Sequence, residues 1–316
     1  MAEHGEFAFI DWLRARTPAA ARVEVGPGDD TAAVRWPGGP SCLVTTDMLL
    51  EGSCFVLEGG SVSVPGVAAA SPRRVGRKAM AVNLSDIAAM AGVPVAAVVA
   101  VGLPRQGGRT LAEELYLGLR DVADAFDTPI VGGDTNSWDG PLVVSVTLFG
   151  EPGPGGVVRR RGAQPGDLLL VTGPLGGSIL GKHLDFTPRV REALALAGLA
   201  PLHAMIDVSD GLAADVAKLC GESGCAPCCG PTRSRSARRP SAGRRPVASA
   251  HALGDGEDFE LVFAVAAADG RALVRDQPVP GVTLTAIGEV VPAGLWLEED
   301  GQRRTLDATG WVHRLE

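Results

Sequence analysis

The chain of 316 residues carries a formal net charge of −8, and 46% of its residues are hydrophobic. This length and composition predict a folded protein with a large buried core and exclude a disordered chain. The acidic balance excludes nonspecific nucleic-acid binding, which requires a basic surface, and it is compatible with an acidic site that holds cations.

The first residues, 1-MAEHGEF-7, lack the basic and apolar regions of a secretion signal. The longest apolar run, 87-IAAMAGVPVAAVVAVGL-103, is short for a membrane span and contains Pro94. We therefore predict a buried helix followed by a strand in this run. We expect a cytoplasmic protein that has no membrane partner.

In the first half of the chain, two segments are enriched in β-branched residues, and a segment between them has apolar residues at helical spacing. A Gly/Pro-rich stretch that follows has the composition of a domain linker. The predictions are strands at 41–50 and 141–150, a helix at 109–126, a linker at 151–156, and domains at 1–152 and 153–316.

The second half also mixes strand and helix patterns. They are a strand at 167–173, a helix at 189–198, a strand, acidic turn and helix within 204–224, and strands around 259–265 and 282–291. Because strands and helices are mixed through both halves, the sequence predicts an α/β or α+β protein of two domains.

The glycine-rich turn from Gly176 to Lys182 matches all but the last residue of a P-loop. His183 stands where a P-loop has the Ser or Thr whose hydroxyl holds the metal. A phosphate cradle at this turn is therefore not favoured, and an ATP site in this chain would need its metal ligands elsewhere.

Four cysteines are close together in the sequence, at positions 220, 225, 228 and 229. No second C-x-x-C lies at the spacing of a zinc finger, and adjacent Cys228 and Cys229 cannot readily share a tetrahedral site. We therefore favour free thiols in a loop over a zinc site.

Residues 225–249 contain six arginines and no acidic residue. This composition predicts a basic loop that does not cover the core. A locally shifted reading frame is a second interpretation, and an arm that binds nucleic acid is the least favoured because the rest of the chain is acidic.

Short acidic turns recur beside Gly, Ser or Thr on apolar flanks, at 28–30, 45–47, 83–86, 132–134, 207–210 and 254–258. Magnesium prefers hard oxygen ligands, and carboxylates that converge in one cleft repel each other unless cations lie between them. Taken singly, Ser85, Asp86 and Asp210 are more typical of helix N-caps than of a metal site, and Asp29 and Asp134 of turns. Their recurrence favours a metal site.

Together these motifs resemble those of thiamine-monophosphate kinases, which belong to a superfamily that includes AIR synthase. The matching stretches run in order along nearly the whole chain: 26-GPGDDTAAV-34, 44-VTTDMLLEG-52, 76-GRKAMAVNLSDIAAMAG-92, 132-GGDT-135, 160-RRGAQPGDLLLVTGPLG-176, 182-KHLDFTPRV-190, 206-IDVSDGLAADV-216 and 256-GEDFELVF-263.

The resemblance implies an AIR synthase-like fold. Its N-terminal α/β domain binds ATP and magnesium and pairs its sheet with that of a second subunit in a homodimer barrel, and a C-terminal α/β domain follows. It also implies the ATP-dependent phosphorylation of thiamine monophosphate to thiamine diphosphate, with several Mg²⁺ ions. The acceptor phosphate is already ionised near neutral pH, so no dedicated catalytic base is expected.

The resemblance further implies roles for individual residues. Substrate contacts are expected at Glu257 and Trp311, and the family histidine that contacts substrate is replaced here by Cys54. Nucleotide contacts are expected at Gly133, Arg160 and Ser209. Metal ligands are expected at Asp30, Thr45, Thr46, Asp47, Asp86, Asp134, Asp207 and Asp210.

Two alternatives to this function remain open at the level of sequence. The chain could be another ATP-dependent enzyme of the superfamily, such as a cyclase acting on a purine precursor. It could also be a catalytically impaired protein that binds a nucleotide or a thiamine phosphate, because Cys54 and the segments 53–74 and 225–249 depart from the family pattern.

Overall fold

Two β-sheets, one from each half of the chain, form the framework of the computed structural model. The structure describes residues 6–64, 67–230, 251–299, 302–308 and 310–311. Helices and strands are mixed in both halves, which confirms the predicted α/β class. No helix within these ranges is both long enough and apolar enough to span a membrane.

The first sheet has six strands in the order β1-β2-β3-β6-β4-β5. All neighbours in it are antiparallel except β4 and β5, which are parallel. The elements of this half are α1 (Glu6–Arg16), β1 (Val23–Val25), β2 (Ala32–Arg35), β3 (Ser41–Leu50), α2 (Pro72–Ala89), β4 (Gly92–Pro104), α3 (Gly108–Ala123), β5 (Ile130–Trp138) and β6 (Val143–Pro152).

The predicted elements of this half are confirmed. Strand β3 covers the predicted 41–50, β6 covers most of 141–150, and α3 with a short 3-10 turn covers 109–126. The apolar run 87–103 contains the end of α2 and most of β4. The apolar periodicity predicted α3 correctly because its buried residues, Leu115, Leu119 and Val122, recur every three or four positions.

Helix α2 is buried along most of its length and packs closely on α3. It begins after Ser71, whose Oγ accepts a hydrogen bond from the Arg74 amide, and Pro72 occupies its first turn. A Cβ atom on Gly76 would lie 2.1 Å from the Leu115 carbonyl oxygen, and one on Gly118 would lie 1.9 Å from that of Arg73. The two helices are therefore in backbone contact at these glycines.

The second sheet has seven strands in the order β13-β12-β9-β11-β7-β10-β8, with only β12 and β9 parallel. The elements are β7 (Leu168–Val171), α4 (Lys182–Asp185), α5 (Val190–Leu199), β8 (Leu202–Asp207), α6 (Leu212–Glu222), β9 (Ala226–Cys229), β10 (Leu261–Val265), α7 (Ala267–Asp276), β11 (Thr285–Val291), β12 (Trp296–Glu299) and β13 (Gln302–Thr305). The strands and helices predicted for this half are confirmed.

The prediction that residues 225–249 form a loop away from the core is wrong at its start. Residues Ala226–Cys229 form β9 between β11 and β12, and Cys228 and Cys229 are buried. A thiol behaves as a small apolar side chain, so it can fill a sheet core despite the polar composition of the segment. Residues 231–249 lie outside the described residues.

The prediction that the four clustered cysteines lie in a loop is wrong, and none of them forms a disulfide. Cys220 is buried in α6, and two of the other three are in β9.

The segment after β3 also contributes to the core, although its sequence departs from the family pattern. Phe55, Val56, Leu57 and Ala70 are buried, and the Ala70 amide donates to the Val56 carbonyl oxygen at 2.7 Å. The same hydrophobic cluster contains side chains from both halves of the chain, because α5 packs on α2.

Candidate functional site

Three aspartates from distant parts of the sequence meet in one place. Oxygens of Asp30, Asp86 and Asp207 all lie within 4.8 Å of one another. Asp30 lies just before β2, Asp86 in the last turn of α2, and Asp207 at the end of β8. We call these three residues the carboxylate cluster, and they are close enough together to share a divalent cation.

Strand β3 places two further predicted residues beside the cluster. Thr45 Oγ1 donates a hydrogen bond to Asp86 Oδ2, and the Asp47 carboxyl group is a close neighbour of Asp86. Thr46 points to the opposite face of the strand, where its Oγ1 donates to the Val146 carbonyl oxygen at 3.2 Å. The side chains of Thr45 and Asp47 therefore contact the cluster, and that of Thr46 does not.

The electrostatics of the cluster favour binding of a cation. Burial raises the pKa of Asp47 to about 6. Burial and the neighbouring negative charges raise the pKa values of Asp86 and Asp207 well above their ordinary value. The ligands are hard oxygens from carboxylates and a hydroxyl, so the residues present fit Mg²⁺, whose charge would relieve the repulsion.

Arg160 makes the only salt bridge to these carboxylates among the described residues. Its Nη2 lies 2.7 Å from Asp30 Oδ1 and its Nε 3.1 Å from Asp30 Oδ2. Its backbone amide donates to Asp29 Oδ1 at 3.1 Å, so Asp29 positions the start of this segment. The predicted nucleotide residue Arg160 thus lies at the carboxylate cluster.

Asp134 is not brought to the cluster of its own chain. Asp47 pairs with Val146, Val146 with Val99, and Val99 with Gly133, so three strand spacings separate Asp47 from the neighbour of Asp134. At one strand spacing each, the separation is about 14 Å. Gly133 and Asp134 lie exposed on β5, the edge strand of the sheet.

The loop after β8 holds Ser209 and Asp210. Lys218 Nζ donates to Asp210 Oδ2 and, at 3.0 Å, to Asp215 Oδ1. Asp215 Oδ2 accepts hydrogen bonds from the backbone amides of Asp210 and Gly211. The N-cap interpretation of Asp210 is wrong, because the cap position is Gly211 and Asp215 satisfies the loop amides from within α6.

Two of the predicted substrate residues contact this same loop. The Trp311 amide donates to the Asp210 carbonyl oxygen at 2.9 Å, and its side chain is exposed. The Glu257 amide donates to the Ser209 carbonyl oxygen at 2.7 Å. Cys54 is half-buried in the turn after β3, against the core.

The backbone around Glu257 adopts a conformation that is uncommon for non-glycine residues. Its φ is +62°, and that of Phe259 is +50°. The loop is held by a hydrogen bond from Ser178 Oγ to the Glu257 carbonyl oxygen at 2.6 Å and by the Phe259 ring, which stacks on Phe186. Strain of this kind persists where the surroundings over-determine the conformation, as they do in functional sites.

Sequence reasoning missed several polar residues that support the site. Ser85 Oγ donates to Asp207 Oδ2 at 2.6 Å, and Asn83 Oδ1 accepts from the Asp47 amide at 3.1 Å. The N-cap interpretation of Ser85 and Asp86 is wrong, because both lie near the end of α2. Polar residues inside an otherwise apolar helix require partners, and this signal in 76-GRKAMAVNLSDIAAM-90 could have identified Lys78, Asn83 and Ser85.

The glycine turn at 173–182 does not have the arrangement of a phosphate cradle. The Gly176 amide donates to Asp258 Oδ2 at 2.7 Å, and the Gly177 amide donates to Asp255 Oδ2 at 2.8 Å. Lys182 Nζ donates to the Pro174 carbonyl oxygen and to Glu260 Oε1. Carboxylates thus accept hydrogen bonds from the amides and the lysine with which a P-loop would bind phosphate.

Comparison with protein families and with curated relatives gives a consistent result. The family model described as AIR synthase related protein, N-terminal domain, matches residues 28–151. The thiamine-monophosphate kinase of Rhodopirellula baltica is 38% identical over 312 residues, which cover 92% of this chain and 91% of the relative.

Solved structures resemble this protein over nearly all of its length. The structure of AaThiL complexed with AMPPCP and TMP is 28% identical, with a TM-score of 0.76 over 98% of this chain and 97% of that chain. Thiamine-monophosphate kinase from Stenotrophomonas maltophilia is 32% identical, with a TM-score of 0.67 over 94% of this chain and 97% of that chain.

Proposed function

The chain belongs to the thiamine-monophosphate kinase family, has its AIR synthase-like fold and is a kinase, and from that premise we propose that it phosphorylates thiamine monophosphate with ATP in a direct, Mg²⁺-assisted transfer. An oxygen of the acceptor phosphate forms a bond to the γ-phosphorus, and the bond from that phosphorus to the ADP oxygen breaks. The products are ADP and thiamine diphosphate. The carboxylate cluster is the observation that carries this proposal.

The residues of the cluster suit a transfer in which alignment and charge neutralisation provide most of the catalysis. Asp30, Asp86 and Asp207 would hold Mg²⁺, with Asp47 beside them. Bound magnesium would neutralise the charge of the transferred phosphoryl group. Arg160 lies at the same place with a planar fork of donors, which suits it to bind a phosphate oxygen.

Further proposed ligands follow the expectations from the family pattern. Thr45 and Asp210 would complete the metal sites, and Ser209 would contact the nucleotide. The Thr46 side chain is left out, because it points away from the cluster. The acceptor phosphate needs no dedicated base, because it is already ionised near neutral pH.

The substrate end of the site is proposed to contain Glu257, Trp311 and Cys54. The exposed Trp311 ring could stack on the cationic ring of thiamine, an interaction of about 0.5–2 kcal/mol. Cys54 offers only a weak S–H donor at the position where the family has histidine. Glu257 is therefore the strongest polar group available for substrate at this end.

We also propose a two-domain organisation at 1–152 and 153–316 and a cytoplasmic homodimer that pairs through the first sheet. The exposed apolar side chains Met48, Val95, Val131 and Trp138 on that sheet support a partner there. In such a dimer, Gly133 and Asp134 on the exposed edge strand would serve the carboxylate cluster of the second subunit.

The experiment that tests the function is an assay of the purified chain with ATP, Mg²⁺ and thiamine monophosphate. We expect ADP and thiamine diphosphate to form in equal amounts, and both to disappear when a chelator removes the metal. Formylglycinamidine substrate serves as the control and should yield no ADP. Binding of Mg-ATP without thiamine diphosphate formation would overturn the proposal in favour of an impaired binding protein.

The shared site is tested by mixing two inactive variants, Asp134→Asn and Asp47→Asn, after exchange of subunits. If Asp134 acts across the interface, mixed dimers contain one intact site and regain a part of the activity. No recovery in a mixture that sedimentation shows to contain mixed dimers would contradict this arrangement.

A further inference from the structure

Lys78 is an almost fully buried lysine in α2, with 1% of its side chain exposed. Its Nζ donates to the Cys54 carbonyl oxygen at 2.7 Å and to Glu257 Oε1. A buried ammonium group requires such partners, because burying an unpaired charge is costly. These contacts join α2 to two positions at which substrate is proposed to bind.

Glu257 is held by both of its carboxylate oxygens. Oε1 accepts from Lys78, and Oε2 lies 2.8 Å from His183 Nδ1. Burial alone would raise the pKa of Glu257, but the hydrogen bond from His183 and the charge of Lys78 outweigh it and lower the pKa. The carboxylate is therefore ionised at neutral pH, and 27% of its side chain is exposed, so that its remaining lone pairs can accept from a ligand.

The same helix carries a residue of the carboxylate cluster. Asp86 follows Lys78 by eight residues in α2, which corresponds to about 12 Å along the helix axis. Because both residues lie on one continuous helix, helix geometry fixes this separation, and the backbone contact with α3 holds the helix in place. One rigid helix thus links the proposed metal end of the site with the proposed substrate end.

We infer that Lys78 is a positioning residue that holds Glu257 and the turn at Cys54 at a fixed distance from the metal cluster, and thereby sets the affinity for the thiamine part of the substrate. The inference rests on the proposed function. A purely structural role is the alternative, but a buried ion pair is weak evidence for stability, since apolar replacements are often tolerated. The two roles differ in which kinetic constant they change.

The test compares the Michaelis constants of Lys78→Met, Lys78→Arg and the control Lys182→Met. Lys182 also pairs with a buried glutamate, Glu260, but Arg189 retains that glutamate when Lys182 is lost. For Lys78→Met we expect the KM for thiamine monophosphate to rise about 10- to 100-fold, the range for losing a hydrogen bond to a charged group. The KM for ATP should change less than about twofold, and Lys78→Arg should recover part of the loss.

A double mutant shows whether Lys78 acts through Glu257. In an enzyme that already carries Glu257→Gln, Lys78→Met should add little to the KM for thiamine monophosphate. If Lys78→Met does not fold, Lys78→Arg alone decides, because a selective rise in that KM is still expected. If the KM values for thiamine monophosphate and ATP change equally in the Lys78 variants, or if neither changes, the inference is wrong. Turnover by the wild type would still support the proposed function.

If the wild type gives no thiamine diphosphate, the proposed function fails, and calorimetry with thiamine monophosphate still measures the effect of Lys78→Met on binding. Weaker binding by that variant would support the positioning role. Unchanged binding, or no binding to the wild type, would reject it.

Discussion

The three aspartates of the carboxylate cluster have one salt-bridge partner among the described residues, Arg160. Glu260, by contrast, is a single carboxylate that accepts hydrogen bonds from Arg189, Lys182 and Thr172. We call the second group the Glu260 network. The first group has an excess of negative charge and the second is neutralised by the chain itself. The chain thus balances Glu260 with its own cations, whereas Arg160 alone leaves the cluster with the negative charge that our proposal of bound Mg²⁺ requires.

Removal of a carboxylate from the cluster should reduce activity more than any other change described below. We expect Asp86→Asn to lower kcat about 10³-fold, because the substitution removes a proposed metal ligand and the negative charge that would balance the metal ion. The melting temperature without magnesium should not fall, because a repelling charge is lost. The initial rate of ADP formation measures the effect, with the exposed Asp185→Asn as control. Near wild-type turnover would show that Asp86 holds no essential cation.

A smaller effect, on stability, is expected in the Glu260 network. Glu260→Gln leaves Arg189 and Lys182 without their buried counter-charge, and we expect the free energy of unfolding to fall by about 3 kcal/mol. Urea denaturation measures this loss. Glu289→Gln, which breaks an exposed pair with Arg303, should cost less than about 1 kcal/mol. Equal losses in the two variants would mean that the network does not stabilise the fold.

The smallest effect concerns Asp258, a buried acid beside the Glu260 network that has no salt bridge among the described residues. Its Oδ1 has no hydrogen-bond partner in the part of the chain that the structure describes, and burial raises its pKa to about 6. Because this pKa is raised in the folded state, the protonated form is favoured, and stability is lost as the pH rises through 6.

Asp258→Asn resembles the protonated form at every pH. Its melting temperature relative to the wild type is therefore expected to increase by a few degrees between pH 5 and pH 8. Differential scanning calorimetry at the two pH values checks this, and a difference that does not depend on pH would show that Asp258 does not titrate in this range.

The fold could be predicted to the extent that single elements bury one face. The β-branched run of β3 and the helical spacing of α3 specify their own structures. Strand β9 could not be predicted, because four residues with two cysteines adjoin an arginine-rich segment whose composition masks them. Cysteine side chains are found both in hydrophobic cores and in metal sites, so the residue type does not identify its role without its position in the fold.

The site was predictable as a set of acidic motifs but not as a geometry. Asp30, Asp86 and Asp207 follow from recurring acidic turns, and the structure brings them together. That Asp134 lies on an edge strand depends on strand order, which spacing does not encode. The contacts of Lys78 could not be predicted, because its partners lie 24 and 179 positions away in the chain.

The glycines at the crossing of α2 and α3 have a consequence for how the protein can be altered. Since no side chain separates the two backbones at Gly76 and Gly118, even a methyl group would have to push the helices apart. A displacement of α2 would move Asp86 and Lys78 together. Substitutions that alter substrate preference without disturbing the fold are therefore expected in the loops around the site and not on the face of α2 that meets α3.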